Sequence, residues 1–312
     1  MAAQRYVNAI FIGPAALKIL KEDAVGEVHS IFERAFNILI AGELVGISGK
    51  DVFKGPFNIT TDIDSNTSMR SLVRKDAKVS VAGNLLRVGD GLTISLNGAE
   101  VWRLKQGVTK ASDIKSVKRN LSLAKRLAGG RKEGLGQLVL HVERIISGTI
   151  IDDPKLNQVS RVALPHIMAL VSAVKSGDLE LVRQSAKNLV GLGPGLSPSA
   201  DDMLAGLMAG LRWEVNSFGG NVDRVDEVNR TIVDHAAEDT TLLSQQLLKH
   251  SALGEVNEAV ESLLEAILAG EAEGVKTATE KVLAAGETSG VDTIVGILLG
   301  LLLGIDFLKF DR

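Results

Sequence analysis

The sequence contains no cysteine. Thiol nucleophiles, disulfides and thiolate-held metals are excluded by that absence alone. Aromatic residues reach only 4%, with one Tyr and two Trp, too few to build a platform on which unpaired bases stack. No charge of one sign dominates: 35 Lys and Arg stand against 38 Asp and Glu, a net charge of −3. No general attraction to polyanions follows, and a nucleic-acid partner is not expected. The histidines His29, His141, His166, His235 and His250 never fall at H-x-x-x-H or H-E-x-x-H spacing, so no zinc site is expected, and no metal ligand is assigned. Long apolar runs are missing as well. The most lipid-like segment, Thr293 to Ile305, is bounded by Asp292 and Asp306 and falls short of the roughly 20 residues a span needs. It reads as a buried core helix, not a membrane anchor. Pro14, Lys18 and Lys21 follow the early apolar run Tyr6–Ile12 too closely for a signal peptide, and a cytoplasmic protein is expected.

Familiar catalytic signatures are absent too. There is no G-x-G-x-x-G dinucleotide fingerprint, no G-x-x-x-x-G-K-[ST] phosphate loop and no G-x-S-x-G elbow. No cofactor is expected.

Proline is scarce, at six residues, yet two of them fall in one short stretch: Gly191-Leu192-Gly193-Pro194-Gly195-Leu196-Ser197-Pro198. Such a stretch cannot be the interior of a helix or strand. A helical pattern follows from Met203 to Val215. Ser199, with Asp202 three residues on, reads as a capping-box-like start with Asp in place of Glu. A glycine-rich loop delivered to a helix N-terminus presents free N–H groups and a favourable dipole to an anion. A tight, well-capped connection between helices explains the same residues.

The expected fold class is α+β: a small β-rich N-terminal domain followed by a larger all-helical domain with an internal helix-loop-helix duplication. Residues 1–105 read as short strands, Val25–Phe32, Ala35–Ile40, Phe57–Thr61, Val79–Val81, Leu85–Val88 and Leu92–Leu96, broken by glycines as in a small sandwich or barrel. Residues 106–133 read as a basic helical connector, with Ser112 as its cap and a solvated basic face as the favoured reading. Residues 134–312 read as helical throughout, over 135–147, 159–175, 178–190, 200–215, 222–238, 240–250, 255–269, 271–285 and 290–308.

The helical part repeats itself, in units 165–211 and 258–304. Ser199, Asp202, Gly206 and Gly210 recur at an offset of 90 as Ser289, Asp292, Gly296 and Gly300. Both copies read S-x-x-D-x-x-x-G-x-x-x-G. Glycine inside a helix costs about 1 kcal/mol relative to alanine. Stripes of it imply close helix–helix approach, here around a pseudo-two-fold axis. The two loops would then share one cleft. The first offers Gly193, Gly195, Ser197, Ser199, Asp201 and Asp202. The second offers Glu287, Thr288, Ser289, Gly290 and Asp292. A third polar cluster, Glu238-Asp239-Thr240-Thr241 with Ser244, lies between them. Hydroxyls and loop N–H groups suit a phosphate or small carboxylate, and acids suit an amide or ammonium group, or a hard cation such as Mg²⁺. Each acid alone is equally explained as a first-turn residue favoured by the helix dipole. His235 reads as an ordinary helix-face histidine near the third cluster.

These blocks resemble those of a known family. Gly191 to Asp202 resembles the G-x-G-x-G-L-T-P-S-G-D-D signature of the AllH (YlbF-type) family, formerly a domain of unknown function, which includes a subunit of oxamate carbamoyltransferase. Asp239-Thr240-Thr241-Leu242-Leu243-Ser244 resembles its T-T-x-x-S block, and Gly286-Glu287-Thr288-Ser289-Gly290-Val291-Asp292 its G-H-S-S-G-x-D block. The departures are Ser197 for Thr, Ala200 for Gly, Glu287 for His and Thr288 for Ser. The resemblance implies a subunit of a carbamoyltransferase-like enzyme acting on carbamoyl phosphate and oxamate or a similar small amide or amine. It also implies an oligomeric assembly with an acyl-CoA-synthetase-like partner subunit. The residues leave open a non-catalytic subunit that binds a small anion. The S-x-R-T-R and H-P-x-Q motifs of well-known carbamoyltransferases are absent, so the site would be built differently. Gly193–Ser199 would cradle phosphate, Thr240 and Thr241 would donate to a carboxylate or carbonyl, and Asp201, Asp202 and Asp292 would be the catalytic acids, with Asp201 or Asp202 orienting the attacking nitrogen.

Overall fold

A computed structural model describes residues 5–52, 54–64, 66–236 and 239–307, with only the backbone for residues 235, 236, 306 and 307. The chain forms two compact units, Met1–Leu104 and Lys105–Arg312.

The first unit is built from β1 (Arg5–Ile12), β2 (Val25–Ile31), β3 (Ala35–Ile40), β4 (Glu43–Ser48), β5 (Asn58–Thr61), β6 (Lys78–Ala82), β7 (Leu85–Val88), β8 (Leu92–Ser95) and the short β9 (Glu100–Val101). Alternation sets the inward face: in β6, Val79 and Val81 are buried while Lys78 is exposed. The strands run in the order β5-β4-β3-β2-β6-β7-β8-β1, and β1 pairs again with β5, which closes the sheet. β1–β8 and β4–β5 are parallel and the other neighbours in this ring are antiparallel. Phe36, Ile38, Ile47, Ile59, Leu86 and Ile94 fill the interior.

This closure corrects the expected α+β class. The N-terminal part is a closed eight-stranded barrel, with a helix of its own, α1 (Pro14–Ile19), whose Ala16 joins the barrel core. Two strands of the ring, β1 and β4, were not among the expected ones. β4 is buried from Leu44 to Ser48, so it shows no alternation, and Gly46 within it reads as a breaker. Gly46 instead marks a close approach: a Cβ there would lie 3.2 Å from the Asn58 side chain.

The described residues of the second unit form ten α-helices: α2 (Ile114–Ala128), α3 (Val142–Ser147), α4 (Gln158–Ser176), α5 (Leu179–Leu189), α6 (Ser199–Phe218), α7 (Val222–Ala236), α8 (Leu242–Ala252), α9 (Glu258–Ala269), α10 (Ala272–Leu283) and α11 (Ser289–Phe307). The basic stretch contributes α2, which packs on α9 and α10 through Val117, Leu121 and Ala124. Its cap is Asp113, whose carboxylate accepts from Ser116 N–H, and not Ser112. The single helix expected over 135–147 is a 3-10 turn, Gly136–His141, followed by α3. Pro165 sits inside α4, well beyond that helix's start.

The core of this unit is the pair α6 and α11, almost wholly buried. They run side by side in the same direction. A Cβ on Gly296 would lie 1.9 Å from Met203 O, and one on Gly206 would lie 2.2 Å from Thr293 O. Further along, Gly300 meets Leu207 O and Gly210 meets Ile297 O. Exchanging each residue for its counterpart 90 positions away converts the first member of each pair of contacts into the second. The axis relating the helices is therefore a local two-fold. Glycine is required because the backbones touch.

Candidate functional site

Because α6 and α11 are parallel, both N-termini emerge at one end. Each carries roughly half a positive charge in its unsatisfied N–H groups. The loop before α6 is folded by its own acids. Asp201, fully buried, accepts from Gly191 N–H at 2.8 Å through Oδ1. Its Oδ2 accepts from the Thr240 hydroxyl. Asp202, 3% exposed, accepts from the Ser197 hydroxyl through Oδ1. Thr241 donates its hydroxyl to Leu196 O at 2.6 Å and accepts from Ser244 N–H at 3.2 Å, capping α8. The Thr240 block is thus bonded to both ends of the glycine loop. Gly193 has φ of +120°, and a Cβ there would lie 2.7 Å from Ser199 N, so only glycine fits. An open hollow remains between this loop and Asp239, Thr240 and Thr241, floored by Gly191, Gly193 and Gly195.

The capping-box reading of Ser199 and Asp202 needs correction. Pro198 is the N-cap residue and makes no side-chain cap, and Ser199 is the first helical residue. The two serines serve the opposite repeat. Ser199 faces Asp292 and Ser289 faces Asp202, near enough to favour the ionised carboxyl without closing a full hydrogen bond. These contacts again exchange under the 90-residue offset.

Burial pushes the Asp202 carboxyl up to about 7, opposed by Ser197 and Ser289 and reinforced by the charges of Asp292 and Asp201. Burial raises Asp292 to about 6, opposed by the Leu135 N–H, which Oδ1 accepts at 2.6 Å, and by Ser199 and Thr288. Among the described residues, Asp202 Oδ2 and Asp292 Oδ2 are buried and without a full hydrogen bond, as are the hydroxyls of Ser199 and Ser244. A carboxyl titrating near neutrality can accept or donate a proton at working pH. Among the described residues, no three His, Cys, Asp or Glu side chains converge as a metal-holding group.

The other expected site residues stand as follows. Gly290 sits against Val282 O, where a Cβ would come within 2.1 Å. Thr288 O accepts the Asp292 N–H at 3.0 Å. Glu287 is exposed on the shorter loop. Glu238 and the His235 side chain lie outside the described residues. Sequence reasoning missed Gly134 and Leu135, which seal Asp292. A Cβ on Gly134 would lie 2.4 Å from Asp292 Oδ1, and Gly134 O is held by Asn157 and Ser160. Only the glycines around that turn hint at it, and many turns look the same.

An eight-stranded barrel unit, with a helical unit whose paired N-termini gather three polar loop blocks, defines the class of this protein. Two family models match the chain. The model described as AllH family N-terminal domain matches residues 8–101, and the model described as oxamate carbamoyltransferase subunit AllH matches residues 189–301. The chain belongs to the AllH family. The second match contains all three loop blocks. No curated protein and no solved structure matches the chain. No helix among the described residues is long and apolar enough to cross a membrane.

Proposed function

We propose that the hollow between the glycine loop before α6 and the Thr240 block is the small-substrate site of a carbamoyltransferase-like subunit, acting on carbamoyl phosphate and oxamate or a similar small amide or amine. The observation that carries this reading is the bonding of two separate loop blocks around two buried acids, Asp201 and Asp202, with Ser289 of the third block facing Asp202. Carbamoyl transfer needs an anion cradle, polarisation of the carbamoyl oxygen and an oriented nitrogen. The loop N–H groups from Gly193 to Ser199 supply the cradle. The Thr240 and Thr241 hydroxyls border the hollow, and both are engaged in loop bonds, so they act by shaping it or by exchanging partners when substrate enters. Asp202 lies beneath the hollow rather than on its lining, and its raised pKa and its bond from Ser197 make it the group suited to exchange a proton with that loop hydroxyl when substrate enters. Asp201 holds the loop, and Asp292 balances Asp202 from the other repeat.

The family name is that of a subunit, so the complete enzyme includes further chains, an acyl-CoA-synthetase-like protein being the partner the resemblance implies. A second reading has a specific observation behind it: no Lys, Arg or His is among the described residues lining the hollow. A subunit that binds the anion weakly, and leaves charge neutralisation to a partner, would look the same. Phosphorolysis of carbamoyl-oxamate by the chain alone, and with its co-purified partners, separates the two. Turnover by the chain alone supports catalysis here. Turnover only in the complex, unaffected by Asp202→Asn, places catalysis on another chain.

A further inference from the structure

Behind Asp202 lies a cavity of about 110 Å³, enclosed by α6, α8, α9, α10 and α11. It shares no lining residue with the hollow at the glycine loop, and Asp202 lines the cavity. Its walls are mainly apolar, with Ala205, Leu247, Val260 and Val282, and its polar contributors besides Asp202 are Ser251, Asn257, Ser289 and Thr293. The space equals roughly three or four waters at about 30 Å³ each, which is also the size of a single molecule with few non-hydrogen atoms.

One oxygen of Asp202 is taken by Ser197, whereas Oδ2 is buried and closes no full hydrogen bond among the described residues, with the Ser289 hydroxyl of the same cavity wall facing the carboxyl. An unsatisfied buried acceptor calls for a donor. The apolar walls select against an ion, which would lose its hydration. The described lining carries no basic side chain that could hold an anion. What fits is short and neutral, carries an N–H to give to Asp202, and has an oxygen that a wall hydroxyl or amide can meet.

We propose that this cavity is a subsite for a small neutral amide group, gripped through its N–H by Asp202 Oδ2. The inference does not depend on the anion-binding role proposed for the glycine loop.

The test uses the full chain and acetamide, with acetate and methylammonium as charged probes of similar size. Ligand-observed NMR should show acetamide binding with a dissociation constant on the order of 1 mM, and neither ion competing. Filling the cavity by Ala205→Leu should weaken acetamide at least tenfold and leave inorganic phosphate binding unchanged. Val260→Phe, from the opposite wall, is the second variant should the first not fold. A wild-type crystal soaked in acetamide tests the same point without any substitution. Amide density against Asp202 supports the subsite. Density for water alone there, acetate binding as well as acetamide, or acetamide binding indifferent to a filled cavity overturns it. Acetamide binding that survives while phosphate fails to bind would sink the loop reading and leave the cavity assignment standing.

Discussion

Asp202 and Asp292 occupy the same position in two copies of one motif, yet their surroundings differ. Asp202 receives a hydroxyl from its own long loop, Ser197, and Asp292 receives a backbone N–H from Leu135, a residue far away in the chain. Burial raises both acids; Leu135 N–H, Ser199 and Thr288 draw Asp292 back, Ser197 and Ser289 draw Asp202 back, and Asp202 also feels the charges of Asp292 and Asp201. The copy with the long glycine loop and the Thr240 block therefore holds the acid closer to neutrality. The copy with the short loop serves as its counterweight. A duplication produced two equivalent helix starts, and loop length differentiated them.

Substitutions can probe both the likeness of the two copies and their difference. The largest effect is expected where the copies are equivalent. Gly296→Ala and Gly206→Ala each drive a Cβ into backbone across the axis, at 1.9 and 2.2 Å. Both should cost more than about 4 kcal/mol or prevent folding, as thermal melts would report. Gly274→Ala, on an exposed helix position with no contact closer than 3.9 Å, should instead gain up to about 1 kcal/mol. If Gly296→Ala is tolerated and Gly206→Ala is not, the two-fold relation is wrong.

The next effect concerns pH. An Asp in the unfolded chain titrates near 4, and folded Asp202 near 7. Over that interval the folded state keeps a proton that the unfolded state releases, so stability falls as pH rises from about 4 to 7 and then levels off. Asp202→Asn removes this loss. In urea melts from pH 4 to pH 8 it should lose on the order of 3 kcal/mol less than the wild type. Asp292→Asn should show the same sign with a smaller size, complete by about pH 6. Equal profiles for the two variants would remove the asymmetry between the two acids.

Thr240→Val touches only the first copy. It strips a donor from buried Asp201 and should cost about 1–3 kcal/mol and weaken anion binding, measured by melting and by phosphate titration. The smallest effect belongs to the second copy: Glu287→Gln, at an exposed position, should leave stability within about 0.5 kcal/mol. Any change should appear in ligand preference.

The loop blocks were legible in the sequence because glycine and proline spacing and an internal repeat survive without tertiary context. So was the reason Gly206, Gly210, Gly296 and Gly300 must face another backbone. That Ser199 serves Asp292 instead of its own Asp202 was not legible. Within one copy S-x-x-D looks like a local cap, and the exchange exists only once two parallel helices meet. The Gly134–Leu135 seal was invisible for the same reason: it is joined to Asp292 across most of the helical unit. Barrel closure depends on β1 pairing at once with β5 and β8, which no local pattern encodes. Ser251 and Asn257 became visible only as walls of a cavity.

The central claim is that the three blocks form one ligand site at the shared helix end. Amide-resolved NMR of the full chain, titrated with inorganic phosphate and with oxamate, tests it most directly. Shifts are predicted to gather at Gly193, Gly195, Thr240 and Thr241, with oxamate extending them to Ser289 and Gly290. Shifts confined to the basic face of α2, or none at saturating ligand, would contradict it.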